Sequence, residues 1–205
     1  MKTLGLILLL ILTQTCLAQF KMTKLNKNSI PKSIQYKDHL FQAVRWTDKA
    51  GDNIVILAST FRKPFKTTDP MNETFFDAEL QAGHYIVLGD SVKQTWTVRE
   101  AGSCPGDFYL YFIDKTFAIT DLNKDGNAEV WIMYKADCGG TYPVRTKIVM
   151  YDGIQKYELQ GESQVKTASS EYVGGTFTLD DNFKNGQIVF RQYAEKLWLQ
   201  NKFEK

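Results

Sequence analysis

The chain has 205 residues, 43% of them hydrophobic and 13% aromatic, with 25 basic and 23 acidic side chains and a net charge of +2 at pH 7. That length suits one domain with a real core. The near balance of charge excludes the basic footprint of a nucleic-acid binder, and no stretch of the chain is apolar and long enough to span a bilayer.

The first eighteen residues read as a targeting leader. Met1-Lys2 is a short positive start, Leu4 to Leu12 is an apolar run too short to cross a membrane, and Cys16-Leu17-Ala18 ends on a small residue. Cleavage is expected after Ala18; a lipoprotein signal would need small residues just before Cys16, and Gln14-Thr15 fits that poorly. Removing residues 1–18 leaves 187 of the 205 residues, with 24 basic and 23 acidic side chains. Such a chain is exported, to the periplasm, the outer cell surface or the medium. Two of its three cysteines remain, Cys104 and Cys138. An even count in an oxidising compartment points to one disulfide between them, and their separation excludes a C-x-x-C redox motif.

Residues 19–37 carry Lys21, Lys24, Lys27, Lys32 and Lys37 and no acid. They read as a solvated basic arm ahead of a β-rich domain over 38–205, although anionic lipid or polysaccharide would also suit such an arm. From Leu40 the pattern turns to β. Leu40 to Thr47 is a strand, Asp48 to Asp52 is turn chemistry, and Asn53 to Phe61 returns as a central strand, which makes a hairpin. Pro64 to Pro70 reads as a loop and Phe75 to Leu88 as extended chain. Val92 to Arg99 alternates as a strand, and Ala101 to Gly106 reads as a turn-rich segment. Asp107 to Ile113 is a further strand with Phe108, Leu110 and Phe112 on one face.

Two β-branched and aromatic segments follow, Thr116 to Thr120 and Val130 to Tyr134. Between them lies Asp121-Leu122-Asn123-Lys124-Asp125-Gly126-Asn127-Ala128-Glu129. Asp121, Asn123, Asp125 and Glu129 place side-chain oxygens at odd positions of the loop, and Asn127 falls where such loops lend a backbone carbonyl. Gly126 sits where the chain must turn sharply. Hard oxygen donors at this spacing suit Ca²⁺. An EF-hand would need a Glu at position twelve, which here is Ile132, and helices on both sides. The segment therefore reads as a strand–loop–strand calcium loop, resembling the acidic loops of integrin-type β-propeller blades. A polar hairpin turn that binds nothing is the competing reading. No second good copy follows, so a propeller is excluded; Asp180 to Gly186 is a weak echo with Lys184 where an acid belongs.

Arg145 to Tyr151 and Gln155 to Leu159 are strands joined by Asp152-Gly153, whereas Glu162 to Gly175 is polar and shows no clear period. Connections this short make the order an antiparallel meander. Phe190, Ala194, Leu197 and Trp198 fall at helical spacing with Tyr193 beside them, and Asp180-Asp181-Asn182 supplies candidate N-caps. The expected fold is thus mainly β, one or more antiparallel meander sheets with a C-terminal helix packed on them.

Taken in order, Ala82-Gly83-His84-Tyr85, Cys104-Pro105, the block Ile119 to Trp131, Met133-Tyr134-Lys135, Cys138, Lys147 to Tyr151 and Leu197-Trp198 resemble a family of small exported bacterial proteins named for surface-polysaccharide biosynthesis. The resemblance covers most of the chain after the leader, and the acidic loop is its most specific part. It implies work in the cell envelope, with polysaccharide or its assembly machinery as partner. It implies no reaction and no catalytic residue.

The chemistry of hydrolysis is hard to find in the sequence. G-x-S-x-G, H-E-x-x-H and a Walker loop are absent. His84 is a lone strand histidine, which more often bonds structurally than acts as a base, and His39 lies by the basic arm. A glycosidase needs two facing carboxylates, which sequence cannot pair. The expected function is a calcium-stabilised, non-catalytic β protein of the envelope; the alternative is a secreted hydrolase of envelope glycans. Aromatic side chains fill β cores or, where exposed, stack on sugars.

Overall fold

The structure, a computed structural model, describes residues 20–60, 63–66, 74–105, 108–138 and 143–204. The expected leader with Ala18, residues 67–70 of the expected loop, and Gly139-Gly140 lie outside them. The first sheet holds β1 (Thr23–Lys24), β2 (His39–Asp48), β3 (Gly51–Ser59), β4 (Lys63–Lys66), β5 (Thr74–Leu88) and β6 (Ser91–Pro105). All its pairs are antiparallel: β6 runs along one side of β5, while β3 and β4 share the other. The expected hairpin is β2–β3. Two expectations change here. The start of the 64–70 loop is the edge strand β4, where Pro64 is tolerated. The turn-rich segment 101–106 continues as strand to Pro105, because β5 extends far enough to pair with it, Phe75 opposite Pro105.

The second sheet contains β7 (Phe108–Phe112), β8 (Ala118–Thr120), β9 (Glu129–Cys138), β10 (Arg145–Asp152), β11 (Gln155–Glu162) and, after a small two-stranded sheet of β12 (Gln164–Lys166) and β13 (Tyr172–Gly174), β14 (Phe177–Leu179). Its order is β14-β11-β10-β9, with β7 and β8 sharing the far side of β9. Thus the polar segment 162–175, without period in the sequence, is largely a short hairpin.

Two short helices finish the chain, α1 (Asp181–Asn185) and α2 (Ile188–Asn201). Asp180 caps α1, its carboxylate accepting from the Phe183 amide at 2.8 Å. The same side chain accepts from the Glu158 amide at 2.8 Å, so the weak echo of the acidic loop is a helix cap tied to β11. Gly186 closes α1, and α2 buries Phe190, Ala194, Leu197 and Trp198, the stripe expected from spacing.

The molecule is a stack of four layers with three apolar seams. The middle seam joins the two sheets: Val44, Trp46, Val55 and Trp96 meet Val130, Ile132, Val149 and Tyr151. The outer face of the second sheet (Trp131, Met133, Ile148, Leu159) is covered by the helices. The outer face of the first sheet (Ala43, Ile54, Ile56, Tyr85) is covered by the N-terminal arm, whose Ile30 and Ile34 are buried while Lys21, Lys24, Lys27 and Lys32 stay exposed and Lys37 pairs with Glu79 at 3.0 Å. Period-two strands with apolar residues on both faces require such cover, which explains why β3 and β9 are buried along almost their whole length. Each large side chain in these seams contributes roughly 1.5–3 kcal/mol. Among the described residues no helix is long and apolar enough to cross a membrane.

Candidate metal loop

The loop 121–129 joins β8 to the start of the central strand β9, so both its ends are anchored in paired backbone. Its turns are local. The Asp125 amide donates to Asn123 Oδ1 at 3.0 Å, the Asn127 amide to Asp125 Oδ1 at 2.7 Å, and the Gly126 amide to Asp121 Oδ2 at 3.2 Å. Asn123 Nδ2 also donates to Asp125 Oδ2 at 3.0 Å. Lys124 and Gly126 both take positive φ, +60° and +86°. The glycine is needed at the second of these because its backbone strains any L side chain; an added Cβ would also lie 2.6 Å from Cε in the flexible tip of Lys49.

Glu129 is fully buried. Thr120 Oγ1 donates to its Oε2 at 2.6 Å, and the Leu122 amide reaches Oε1 and Oε2 at 3.1 and 2.9 Å. Burial pushes its carboxyl pKa up, against these hydrogen bonds, which favour the charged form. Glu129 thus holds the first limb of the loop from inside. Trp131 Nε1 donates to the same Thr120 hydroxyl at 2.9 Å, which links this knot to the helix-covered seam.

Asp121 is the unusual member. Its Oδ2 is satisfied by Gly126, but its Oδ1 is buried without a hydrogen-bond partner. A buried carboxylate oxygen left bare is costly in a folded protein and calls for a ligand. Sequence reasoning missed one neighbour, Asp152, the last residue of β10. It pairs in register with Glu129. Its carboxyl pKa is raised, first by burial and then by the charges of Asp125 and Asp121. The sequence does contain Asp152-Gly153, but it reads as turn chemistry; only the pairing of β9 with β10 brings that acid to the loop. The structure therefore sets Asp152 within electrostatic reach of Asp125 and Asp121, with Asn123 bonded to Asp125 and Asn127 half-buried in the turn. Among the described residues, no three His, Cys, Asp or Glu side chains are drawn in closely enough to form a metal-holding group. The donors nonetheless fit a hard divalent cation: all are oxygens, one is orphaned, and the charges of Asp125 and Asp121 add to burial in raising the Asp152 pKa.

The loop is also docked on the tip of the β2–β3 hairpin. The Lys49 amide donates to the Gly126 carbonyl at 3.0 Å, the Lys49 ammonium to the Asp125 carbonyl, and the Ala128 amide to Asp48 Oδ2 at 3.1 Å. Asp48 passes the contact inward. It accepts from Trp46 Nε1 at 2.8 Å and from Asn53 Nδ2 at 2.9 Å, and Asn53 Oδ1 lies 3.1 Å from His84 Nε2. His84 Nδ1 lies 2.5 Å from Thr95 Oγ1. Asn53 Oδ1 only accepts, so Nε2 carries the proton and Nδ1 accepts from Thr95. A register shift between β5 and β6 leaves Thr95 without a strand partner and frees it for this contact. His84 is sandwiched between Trp46 and Trp96, at 5.5 and 5.4 Å between ring centres, and burial lowers its pKa to about 4. His39 lies exposed at the start of β2.

Cys104 and Cys138 are bonded, with Cα atoms 5.6 Å apart. They lie at the ends of β6 and β9 rather than in turns, so the bond ties one sheet to the other. Comparison with family models, with curated proteins and with solved structures returned no match.

Proposed function

We propose that this is a non-catalytic, exported domain of the cell envelope, held in shape by one Ca²⁺ and engaged with surface polysaccharide or its assembly machinery. The observation that carries the metal is the buried, unpartnered Asp121 Oδ1 inside a loop of oxygen donors. Asp121, Asn123 and Asp125 supply side-chain oxygens, Asn127 its carbonyl, and Asp152 a carboxylate from the neighbouring strand; Glu129 closes the set from inside. Bound calcium supplies charge neutralisation at a junction where both sheets meet. Export rests on the leader-like start of the sequence, and polysaccharide on the family resemblance.

The non-catalytic reading is supported by His84. Both ring nitrogens are engaged inside the protein and the residue is 8% exposed, which leaves no nitrogen for substrate. Exported modules bind calcium at roughly 10⁻⁴–10⁻³ M. At about 100 times the dissociation constant the fold gains roughly 2.7 kcal/mol. Residues 19–205 are therefore expected to melt higher in millimolar calcium than in chelator, with a measurable heat of binding that Asp121→Asn removes and Asp152→Asn weakens. Coincident melting curves and no binding heat would reject the metal. Deletion of the gene is expected to change surface-polysaccharide banding, restored by the intact gene; an unchanged surface together with glycan cleavage by the pure protein would favour the hydrolase.

A further inference from the structure

Away from the loop, the chain builds a cleft of about 590 Å³ between strand β7 and the tail that follows α2. The tail is fastened by backbone bonds, Gln164 amide to Lys202 carbonyl at 2.6 Å and Glu204 amide to Gln164 carbonyl at 3.0 Å. This sets Phe203 and Glu204 across from Tyr111. The volume is within the range of small-ligand sites, roughly 300–1,000 Å³.

Two features distinguish this cleft from ordinary surface. The first is a cluster of exposed rings. Tyr111 is 43% exposed and Phe203 50% exposed, and Tyr172 at 58% meets Phe203 edge-on at 6.1 Å. Single exposed aromatics are normal, but two lining one cleft with a third packed on one of them are not. The second is a charged pair in the wall. Lys135, with a side chain only 9% exposed, is ion-paired to Glu204 at 13%, and its ammonium lies 5.8 Å from the Tyr111 ring centre. Desolvating such a pair costs more than an apolar pair of similar size, so stability alone is a weak reason for its presence.

From this juxtaposition we infer that the cleft binds a neutral pyranose saccharide, with a sugar face on Tyr111 or Phe203 and hydroxyls on the Lys135–Glu204 pair. The charges decide the class. Lys135 is neutralised by Glu204, and Asp114 in the wall is matched by the Lys202 ammonium 5.3 Å from the Phe203 ring centre, so the cleft carries no net charge to draw in an ion. A hydroxyl both donates and accepts, as a mixed ammonium and carboxylate edge requires. Asn201 adds an acceptor, since its Nδ2 already donates to the Leu197 carbonyl at 2.8 Å. Both rings are about half exposed, each with an ammonium near it, Lys135 at Tyr111 and Lys202 at Phe203.

This inference deepens the polysaccharide reading and rests on it. The test is titration calorimetry of residues 19–205 in millimolar calcium, with neutral gluco-, galacto- and manno-oligosaccharides and, separately, oligouronates. At least one neutral series is expected to bind. Tyr111→Ala and Phe203→Ala should each weaken binding at least roughly tenfold, Tyr111→Phe should bind as wild type, and melting temperatures should stay unchanged because both rings are exposed. Tyr172→Ala serves as the alternative should either of the first two fail to fold. Undiminished neutral-sugar binding in folded ring variants would overturn the cleft and leave the polysaccharide reading standing. Binding of oligouronates in preference would overturn the neutral class. No binding of any saccharide would overturn both.

Discussion

Strand β9 starts at Glu129 and ends at Cys138, about 30 Å away at ordinary strand rise, and its two ends are secured by different chemistry. At Cys138 a covalent bond reaches across to β6 in the other sheet. At Glu129 the join is polar: a buried carboxylate, the docked hairpin tip of Asp48 and Lys49, and a hydrogen-bonded file running inward to His84. The covalent end answers only to redox conditions. The polar end answers to pH, because Glu129 and His84 within it both ionise; the proposed calcium site would make it answer to cations as well. One strand thus has a covalent anchor and a titratable one.

Removing the covalent anchor is the severest way to break that contrast. The bond closes a loop with a sequence separation of 34, so a Cys104→Ala, Cys138→Ala variant is expected to lose roughly 3–4 kcal/mol in the chain-entropy model, read from urea unfolding. A loss well under 1 kcal/mol would mean that the apolar seam alone holds that end.

Acid acts on the other end. His84 is neutral in the folded protein down to about pH 4, against an ordinary value of 6.5. Its folded pKa is lowered, so the unfolded chain binds the extra proton between these limits. Stability is full above 6.5 and falls as pH drops toward 4, by an amount on the order of 3 kcal/mol. His84→Gln keeps polar bonding without titrating, and should flatten the pH dependence between 6.5 and 4. An equally steep profile in that variant would locate the acid sensitivity elsewhere.

The smallest effect sharpens the same end. Gly126→Ala places a side chain at φ +86° and is expected to cost about 1–2 kcal/mol in thermal unfolding. The nearby Lys49 tip is flexible and moves aside, so adding Lys49→Ala should not restore the loss. Restoration would show that the clash, and not the backbone, sets the cost.

How much of this was legible in sequence follows the range of the interactions. The antiparallel β architecture, the α2 face of Phe190, Ala194, Leu197 and Trp198, and the turn at Gly126 rest on local periodicity or turn chemistry and were readable. So was the cysteine pair, since two cysteines leave one pairing. Asp152 was not, because it reaches the loop only through strand register. Nor was the role of Ile30 and Ile34: five lysines mask two apolar residues whose face is complete only against β2 and β3. Strands β4 and β12 to β14 were missed because each has only three or four residues, too few to show a period, and β14 finds its partner, β11, further back in the chain. The cleft escaped notice because Tyr111, Lys135 and Phe203 come from three distant segments.

The tryptophans divide evenly between the layers. Trp46 and Trp96 flank His84, with Trp96 stacked at 4.1 Å on Tyr151 of the opposite sheet. Trp131 and Trp198 lie in the seam beneath the helices, the first 4.6 Å from Tyr193 and the second 5.6 Å from Phe177. There are four in the chain, so its emission has two sources in two environments. A protonated imidazole quenches an indole stacked on it by accepting excited-state charge, and a neutral one does so far less. Replacing Trp131 and Trp198 by Phe would leave an indole pair whose brightness follows the charge on His84. Replacing Trp46 and Trp96 instead would leave a pair that follows the helix layer, and the molecule would then report optically on each of its two seams in turn.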